Sequence, residues 1–222
     1  MSLFVSIDGK RATSLTIHVP YAGVWLADCE LDDDSSLANT IEIKLGAATW
    51  IGTVVRQYTG TFALRTSARI AGGAGGWGTL LKPRHYHDDA GVRTALVVRD
   101  AAREAGENLT TAAYERATLG TDFVRARVPA ARVLEQSLGS TPWWVAADGT
   151  TRVGARTATE MKAPYDLLAF DPRFKVATLA IDDPSAIGIG TVLRGRAELS
   201  VRELNYVVSG DSLRVTAWGV AP

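Results

Sequence analysis

The chain has 222 residues, of which 46% are hydrophobic, and its 24 basic residues balance its 24 acidic ones. This composition is typical of a folded globular protein and excludes a disordered chain. A dedicated binder of duplex DNA needs a basic stripe, so the zero net charge disfavours specific nucleic acid binding. The sequence contains no signal peptide and no apolar run of about 18 residues, so we expect no membrane-spanning segment and synthesis in the cytoplasm.

Residues 2–71 alternate apolar and polar side chains at period two, which is the pattern of half-buried strands. Asp8-Gly9 is a hairpin signal, and Gly52 inside a strand indicates a bulge or a barrel corner. We predict six short strands that form a small β-barrel or sandwich. The predicted strands are 3–7, 14–19, 24–31, 40–45, 50–55 and 62–70.

Cys29 is the only cysteine, so no internal disulfide can form. It lies in a predicted strand, and neither His nor Lys flanks it. We therefore interpret it as a small buried hydrophobe rather than a reactive thiol.

Residues 72–155 are predicted to hold a glycine connector followed by an α+β domain. A helix over about 91–105 follows from its apolar spacing, with Asp88 and Asp89 as N-cap and first-turn acid and Gly106 as the C-terminal glycine.

A second helix is predicted over about 129–138, with Pro129 in its first turn and Gly139 after its end. A hairpin over 143–153 is predicted because Asp148-Gly149 separates two apolar runs. Each helix shows one apolar stripe, which we expect to cover a small sheet.

Residues 156–222 return to the strand pattern and are predicted to form a second β-barrel module. The predicted strands are 167–170, 174–181, 190–201, 204–208 and 213–220, with turns at Asp171-Pro172, Asp183-Pro184 and Gly210-Asp211. The predicted fold class is therefore α+β, mostly β: two small β-barrel or sandwich modules flank an inserted α+β domain with two helices.

The two β modules carry parallel signals, since each has a glycine turn before a Gly-Thr-Val strand and ends in a long strand pair. We predict that they share one topology. The alternative is a single continuous sheet system in which the terminal segments pair with one another.

The stretch Gly73-x-Gly75-x-x-Gly78 matches the dinucleotide-binding string. That motif needs a helix directly after the glycines, but Pro83 interrupts any helix there. We interpret residues 72–78 as a non-catalytic connector, closed by Trp77, in which some glycines have positive φ.

His85-x-His87 followed by Asp88 and Asp89 has the spacing of a metal site, and the only other histidine is His18. A capped helix start explains the aspartates more simply. Asp182-Asp183 precedes a proline in a predicted turn, and no nucleophile motif occurs. We therefore expect no catalytic residue, no cofactor and no metal.

Several of these segments together resemble the hub proteins of bacteriophage tails, including late control protein D and the hub half of type VI secretion spikes. The segments that carry the resemblance are Ile41–Gly46, Trp50–Val54, Gly72-Gly73, the helix Gly91–Gly106, the second helix with its Trp-rich hairpin over Leu134–Val153, and Phe170–Gly210.

The resemblance implies a structural virion protein of the baseplate or tail tip, a hub that joins the tail tube to the distal tip or spike. It implies a homo-oligomeric ring, with a trimer favoured and a hexamer possible, whose partners are tail-tube and tip or spike proteins. Because no spike, peptidase or lysozyme-like domain follows in this sequence, we expect assembly rather than cell-wall degradation.

Two other classes stay open. A carbohydrate- or receptor-binding β module would use exposed aromatic residues such as Trp25, Trp50 or Trp143. In the strand Trp143-Trp144, the commoner arrangement has one ring in the core and the other against a partner or helix. A nucleotide-cofactor enzyme would need the glycine loop.

Overall fold

The computed structural model describes residues 5–34, 36–110, 114, 117–210 and 212–222. Within these residues the chain is mostly β, with two α-helices, which confirms the predicted fold class. The predicted strand start at Leu3 and Asp211 of the last predicted turn lie outside the described residues.

The helices are α1 (Thr94–Ala105) and α2 (Ala130–Leu138). The strands, in chain order, are β1 (Val5–Ile7), β2 (Lys10–Val19), β3 (Leu26–Leu31), β4 (Thr40–Leu45), β5 (Ala48–Val54), β6 (Gly60–Phe62), β7 (Arg65–Gly72), β8 (Arg84–His87), β9 (Asp122–Arg125), β10 (Trp143–Val145), β11 (Thr151–Val153), β12 (Thr159–Glu160), β13 (Asp166–Asp171), β14 (Val176–Ala180), β15 (Thr191–Leu193), β16 (Leu199–Ser209) and β17 (Ser212–Val220).

The chain divides into two compact units. One unit contains residues up to 21, residues 25–71 and residues 156–222, so both β segments belong to it. The other unit contains residues 22–24 and 72–155, which include both helices.

Six strands of the N-terminal segment close into a barrel. Their order is β1-β4-β5-β7-β3-β2, and β2 pairs back to β1. The alternation in the sequence has placed every second side chain inside, as with Ile41, Ile43 and Leu45 of β4. The predicted hairpin turn at Asp8-Gly9 is present, and both of its residues have positive φ.

Gly52 lies in regular antiparallel register opposite Ile41, so of its two predicted roles, a bulge or a barrel corner, the bulge is not present. A Cβ at this position would lie 2.6 Å from the Ala71 carbonyl oxygen and 2.8 Å from Cη2 of Trp25. The glycine instead allows the buried Trp25 ring to pack directly against the strand.

The strands of the C-terminal segment follow the order β12-β15-β16-β17-β14-β13. To compare the two orders, we number the strands of each segment from one to six along the chain and count β6 as the continuation of β5. In both segments the order across the sheet is then first, fourth, fifth, sixth, third and second. The prediction of a common topology is therefore confirmed at the level of strand order.

The two segments also differ. β12 pairs with β15 in parallel, whereas β1 pairs with β4 antiparallel. No pairing of β12 with β13 is among the described residues, so closure into a second barrel stays a prediction. The strand predicted over 190–201 is divided into β15 and β16, because Gly195 between them has a φ of +87°.

The two segments meet at the outer part of β16. This strand pairs along one edge with β17; on the other edge its first residues pair with β15 and its last six pair with β2. The second pairing is antiparallel, from Leu204 opposite Val19 to Ser209 opposite Ser14. The alternative in which terminal segments pair with one another is thus also observed, at this joint.

In the helical unit, α1 begins at Thr94 rather than near 91 because Gly91 has a φ of +98°, which is not helical. The predicted capping by Asp88 and Asp89 is wrong: Arg93 precedes the helix, and Asp88 instead accepts a hydrogen bond from the Ala90 N–H. The C-terminal glycine is confirmed, since Gly106 is left-handed and ends the helix.

The second helix and the hairpin agree with their predicted ranges. α2 follows Pro129 and ends before Gly139, and β10 pairs with β11 across the Asp148-Gly149 turn. Strands β8 and β9, which pair with each other, were not predicted from the sequence.

Candidate functional site

The joint between β2 and β16 is the antiparallel pairing of residues 14–19 with residues 204–209, which connects the two β segments of one chain. Leu15 and Val208 face each other across it and are 1% and 3% exposed. At its far end, Nε2 of His18 lies 2.8 Å from Oε1 of Glu203. The joint therefore combines backbone hydrogen bonds with a buried apolar pair and a polar contact.

Three strands of the unit that contains both β segments have one edge unpaired among the described residues: β6 pairs only with β7, β12 only with β15, and β13 only with β14. The edges of β6 and β13 are the apolar ones. Exposed apolar side chains lie on or next to these edges: Tyr58, Phe62 and Leu64 near β6, and Leu168 and Phe174 near β13. Such an edge is a template for pairing with another strand.

The glycine loop of residues 72–78 has positive φ at Gly73 and Gly75, as predicted. Its backbone amides bind an internal anion: the Glu107 carboxylate accepts hydrogen bonds from the N–H groups of Ala74, at 3.1 Å, and Gly76, at 2.6 Å. A phosphate at these amides would have to displace a buried side chain. Their geometry thus argues against a nucleotide at this loop.

Glu107 is 7% exposed. Burial raises its pKa above the ordinary value of a carboxyl group, and the hydrogen bonds from the loop amides oppose that rise. Trp77 completes the loop; its Nε1 donates to Oγ1 of Thr151, and its ring lies 5.2 Å from that of Trp143. The loop is thus held from the inside of the helical unit.

The histidine pair lies on β8, where Asp122 of the neighbouring strand β9 contacts both rings. Oδ1 of Asp122 lies 2.9 Å from Nε2 of His85 and 3.0 Å from Nδ1 of His87. These contacts, that with His87 first, lower the pKa of Asp122. Over the residues with described positions, no group of three or more His, Cys, Asp and Glu side chains is arranged to hold a metal ion.

The aromatic residues considered for carbohydrate binding are in the core. Trp25, Trp50 and Trp143 are 1%, 7% and 5% exposed, so none offers a stacking surface. This corrects the expectation that they are exposed. Trp144 is half-buried, which agrees with the predicted division of the Trp143-Trp144 pair.

Cys29 and the Asp182-Asp183 pair have structural roles. Cys29 is buried, and burial raises its thiol pKa to about 12, as expected for an unreactive hydrophobe. Asp183 accepts a hydrogen bond from the Ser185 N–H at 2.8 Å, in the predicted turn.

One polar cluster was not anticipated. Arg125 is 1% exposed, donates to both carboxylate oxygens of Glu104, and donates to the Lys82 carbonyl. These residues line an open cleft of about 490 Å³ in the helical unit. No sequence signal marks this pair, because an arginine in a short alternating strand is normally exposed.

Comparison with known proteins gives no matching family model and no matching curated protein. Solved structures do match. The E. coli c3393 protein, a component of the type VI secretion system with structural similarity to bacteriophage tail proteins gp27 and gp5, superposes with a TM-score of 0.69 at 10% identity, over 98% of this chain and 79% of that one.

A tail protein from Neisseria meningitidis gives a TM-score of 0.70 at 11% identity, covering 98% of this chain and 96% of its own. The 43 kDa tail protein of prophage MuSo2 from Shewanella oneidensis gives 0.67 at 8% identity, covering 100% and 98%. The chain has the fold of these tail proteins. No helix of the described residues is long and apolar enough to cross a membrane.

Proposed function

We propose that the chain is a structural protein of a phage tail, located in the virion and made in the host cytoplasm. The observation that carries this proposal is the repeated strand order of the two β segments, within a fold shared with tail proteins. A repeated module gives one chain two similar surfaces, which suits a protein that docks onto a symmetric tube.

Its place in the tail is that of a baseplate or tail-tip hub that joins the tail tube to the distal tip or spike. Three copies with two similar modules each present six similar surfaces, and this matches a six-fold tube. A trimeric ring is therefore favoured over a hexamer. The division into residues 2–71, 72–155 and 156–222 is part of this proposal, with the outer two parts as the repeated modules.

The role proposed is assembly without catalysis. Supporting it, the amides of the glycine loop are engaged by Glu107, and the only thiol is buried with a raised pKa. The carbohydrate-binding alternative is less well supported, since the three tryptophans named as examples of its stacking residues are buried.

The test is co-assembly with the tail-tube protein encoded by the same phage. Tubes of that protein are polymerised, incubated with the gold-labelled chain and imaged by electron microscopy, with an unrelated labelled β protein as control. We expect label at one end of each tube. Label along the tube walls, or none, would contradict the hub role.

A further inference from the structure

The repeated strand order implies a second pair of strands equivalent to β2 and β16, and these two strands are not paired with each other within the described part of the chain. β2 is the second strand of the N-terminal segment, and the outer part of β16 belongs to the fifth strand of the C-terminal segment. The reciprocal pair consists of β13, the second strand of the C-terminal segment, and β6, the outer part of the fifth strand of the N-terminal segment. Both have an unpaired edge among the described residues.

We propose that β13 of one copy pairs antiparallel with β6 of a second copy of this chain. This joint repeats between chains the contact that β2 and β16 make within one chain. It rests on the proposed ring, and it specifies which edges close that ring. Repeated head to tail, alternating internal and external joints link all modules into one continuous circle of sheets.

The register of the external joint follows from the two hairpins. In β16 and β17, Ser209 pairs with Ser212 across the turn; in β6 and β7, Phe62 pairs with Arg65 in the same way. Phe62 is thus equivalent to Ser209, Thr61 to Val208 and Gly60 to Val207.

The second strands of the two segments, β2 and β13, are aligned through the third strands with which they pair, β3 and β14. Leu15 pairs with Cys29, and Leu167 pairs with Leu179; beyond a bulge at Leu168, Ala169 takes the position of Thr16. Because Thr16 pairs with Val207 in the internal joint, Ala169 is assigned opposite Gly60 of the next copy.

The exposure of the side chains on β6 and β13 is consistent with pairing to a second copy of the chain. Of the β16 residues that β2 covers, Leu204–Val208 alternate between buried and half-buried and only the last, Ser209, is exposed, whereas all three residues of β6 are exposed and Phe62 is 88% exposed. On β13, Leu168 is 49% exposed. A second copy would cover these edges as the internal joint covers its own.

The test is disulfide formation in a chain carrying Gly60→Cys and Ala169→Cys. Both residues are exposed, and a Cβ at Gly60 meets no atom within 4 Å. Under a mild oxidant we expect covalent species up to the closed ring on a non-reducing gel. Mixing the two single variants should give covalent dimers only.

The matched positive control is Thr16→Cys with Val207→Cys, the same register position in the internal joint, which should close within one chain. Gly60→Cys with Val220→Cys, a position 46% exposed on β17, is the negative control. Light scattering on the reduced protein runs in parallel.

The outcomes are distinct. A ring by light scattering without cross-links, while the internal control closes, overturns the β13–β6 joint and leaves the proposed hub intact. A monomer without cross-links at high concentration overturns both. Cross-linking that is as strong in the negative control also overturns the joint, because the pairing would then lack register.

Discussion

Trp50 and Tyr206 pack edge to face, with ring centroids 5.7 Å apart and planes inclined at 63°. Trp50 lies on β5 of the N-terminal barrel, and Tyr206 lies on β16 of the C-terminal segment. One aromatic pair therefore connects the cores of the two β segments, close to the joint that β2 and β16 form.

Replacing Trp50 with alanine should lower the free energy of unfolding by about 3–5 kcal/mol, because the change removes a large buried ring and leaves a cavity. Leu96→Ala, at a position 51% exposed on α1, is the control and should change it by less than about 0.5 kcal/mol. Denaturant unfolding followed by circular dichroism measures both. Equal effects would show that the aromatic pair does not stabilise the joint.

Tyr206→Phe tests the polar end of the same ring. The Tyr206 hydroxyl is buried and donates to the Ile187 carbonyl at 2.7 Å, so its removal leaves a buried acceptor unpaired. We expect a loss of about 1–2 kcal/mol in the same assay. Tyr165→Phe is the matched control, since the Tyr165 hydroxyl also donates to a backbone carbonyl but is exposed. An equal loss of stability in Tyr165→Phe would contradict the argument.

Gly76→Ala should destabilise the helical unit, because a Cβ would overlap the Ala105 carbonyl oxygen. Overpacking of this kind costs about 1–3 kcal/mol. Gly78→Ala, two residues later, is the control, since a Cβ there meets no atom within 4 Å. Thermal unfolding of both variants decides the matter: a stable Gly76→Ala protein would show that the loop is not packed as described.

Glu107→Gln should change how stability depends on pH. Burial raises the pKa of Glu107 above 4.5, so its contribution to stability is present below the pKa of the unfolded chain and is lost as pH rises through the folded value. The free energy of unfolding of the wild type should therefore fall relative to that of Glu107→Gln, which cannot titrate, from about pH 4 upward. Parallel curves over this window would refute the assignment.

Cys29 should not react with a thiol reagent such as DTNB in the native protein, because it is 3% exposed and its pKa is about 12. It should react fully once the chain is unfolded in denaturant. Rapid reaction in native buffer near neutral pH would mean that this part of the barrel opens.

Much of the fold could be predicted because local signals agreed with the tertiary structure. The turn glycines Gly9, Gly106 and Gly149 all adopt positive φ, as their positions required. The period-two alternation that predicted strands in residues 2–71 likewise agrees with the alternating burial along β4. These features depend on a few neighbouring residues, so sequence alone is sufficient for them.

The errors arose where distant residues decide the structure. Asp88 and Asp89 precede a glycine whose φ delays the helix, and Gly52 is required by the Trp25 ring rather than by a bulge. The role of Glu107 as the anion bound by the glycine loop could not be predicted either, since it lies 31 residues from Gly76. Single-sequence patterns carry no information about such contacts.

The most direct test of the central claim, that two similar modules per chain build a closed tail ring, is the mass and symmetry of the purified assembly. Light scattering with electron-microscopic class averages should give three times the 23.7 kDa of one chain and a ring with six similar lobes. A stable monomer at high concentration, unchanged when the tail-tube protein is added, would contradict the account.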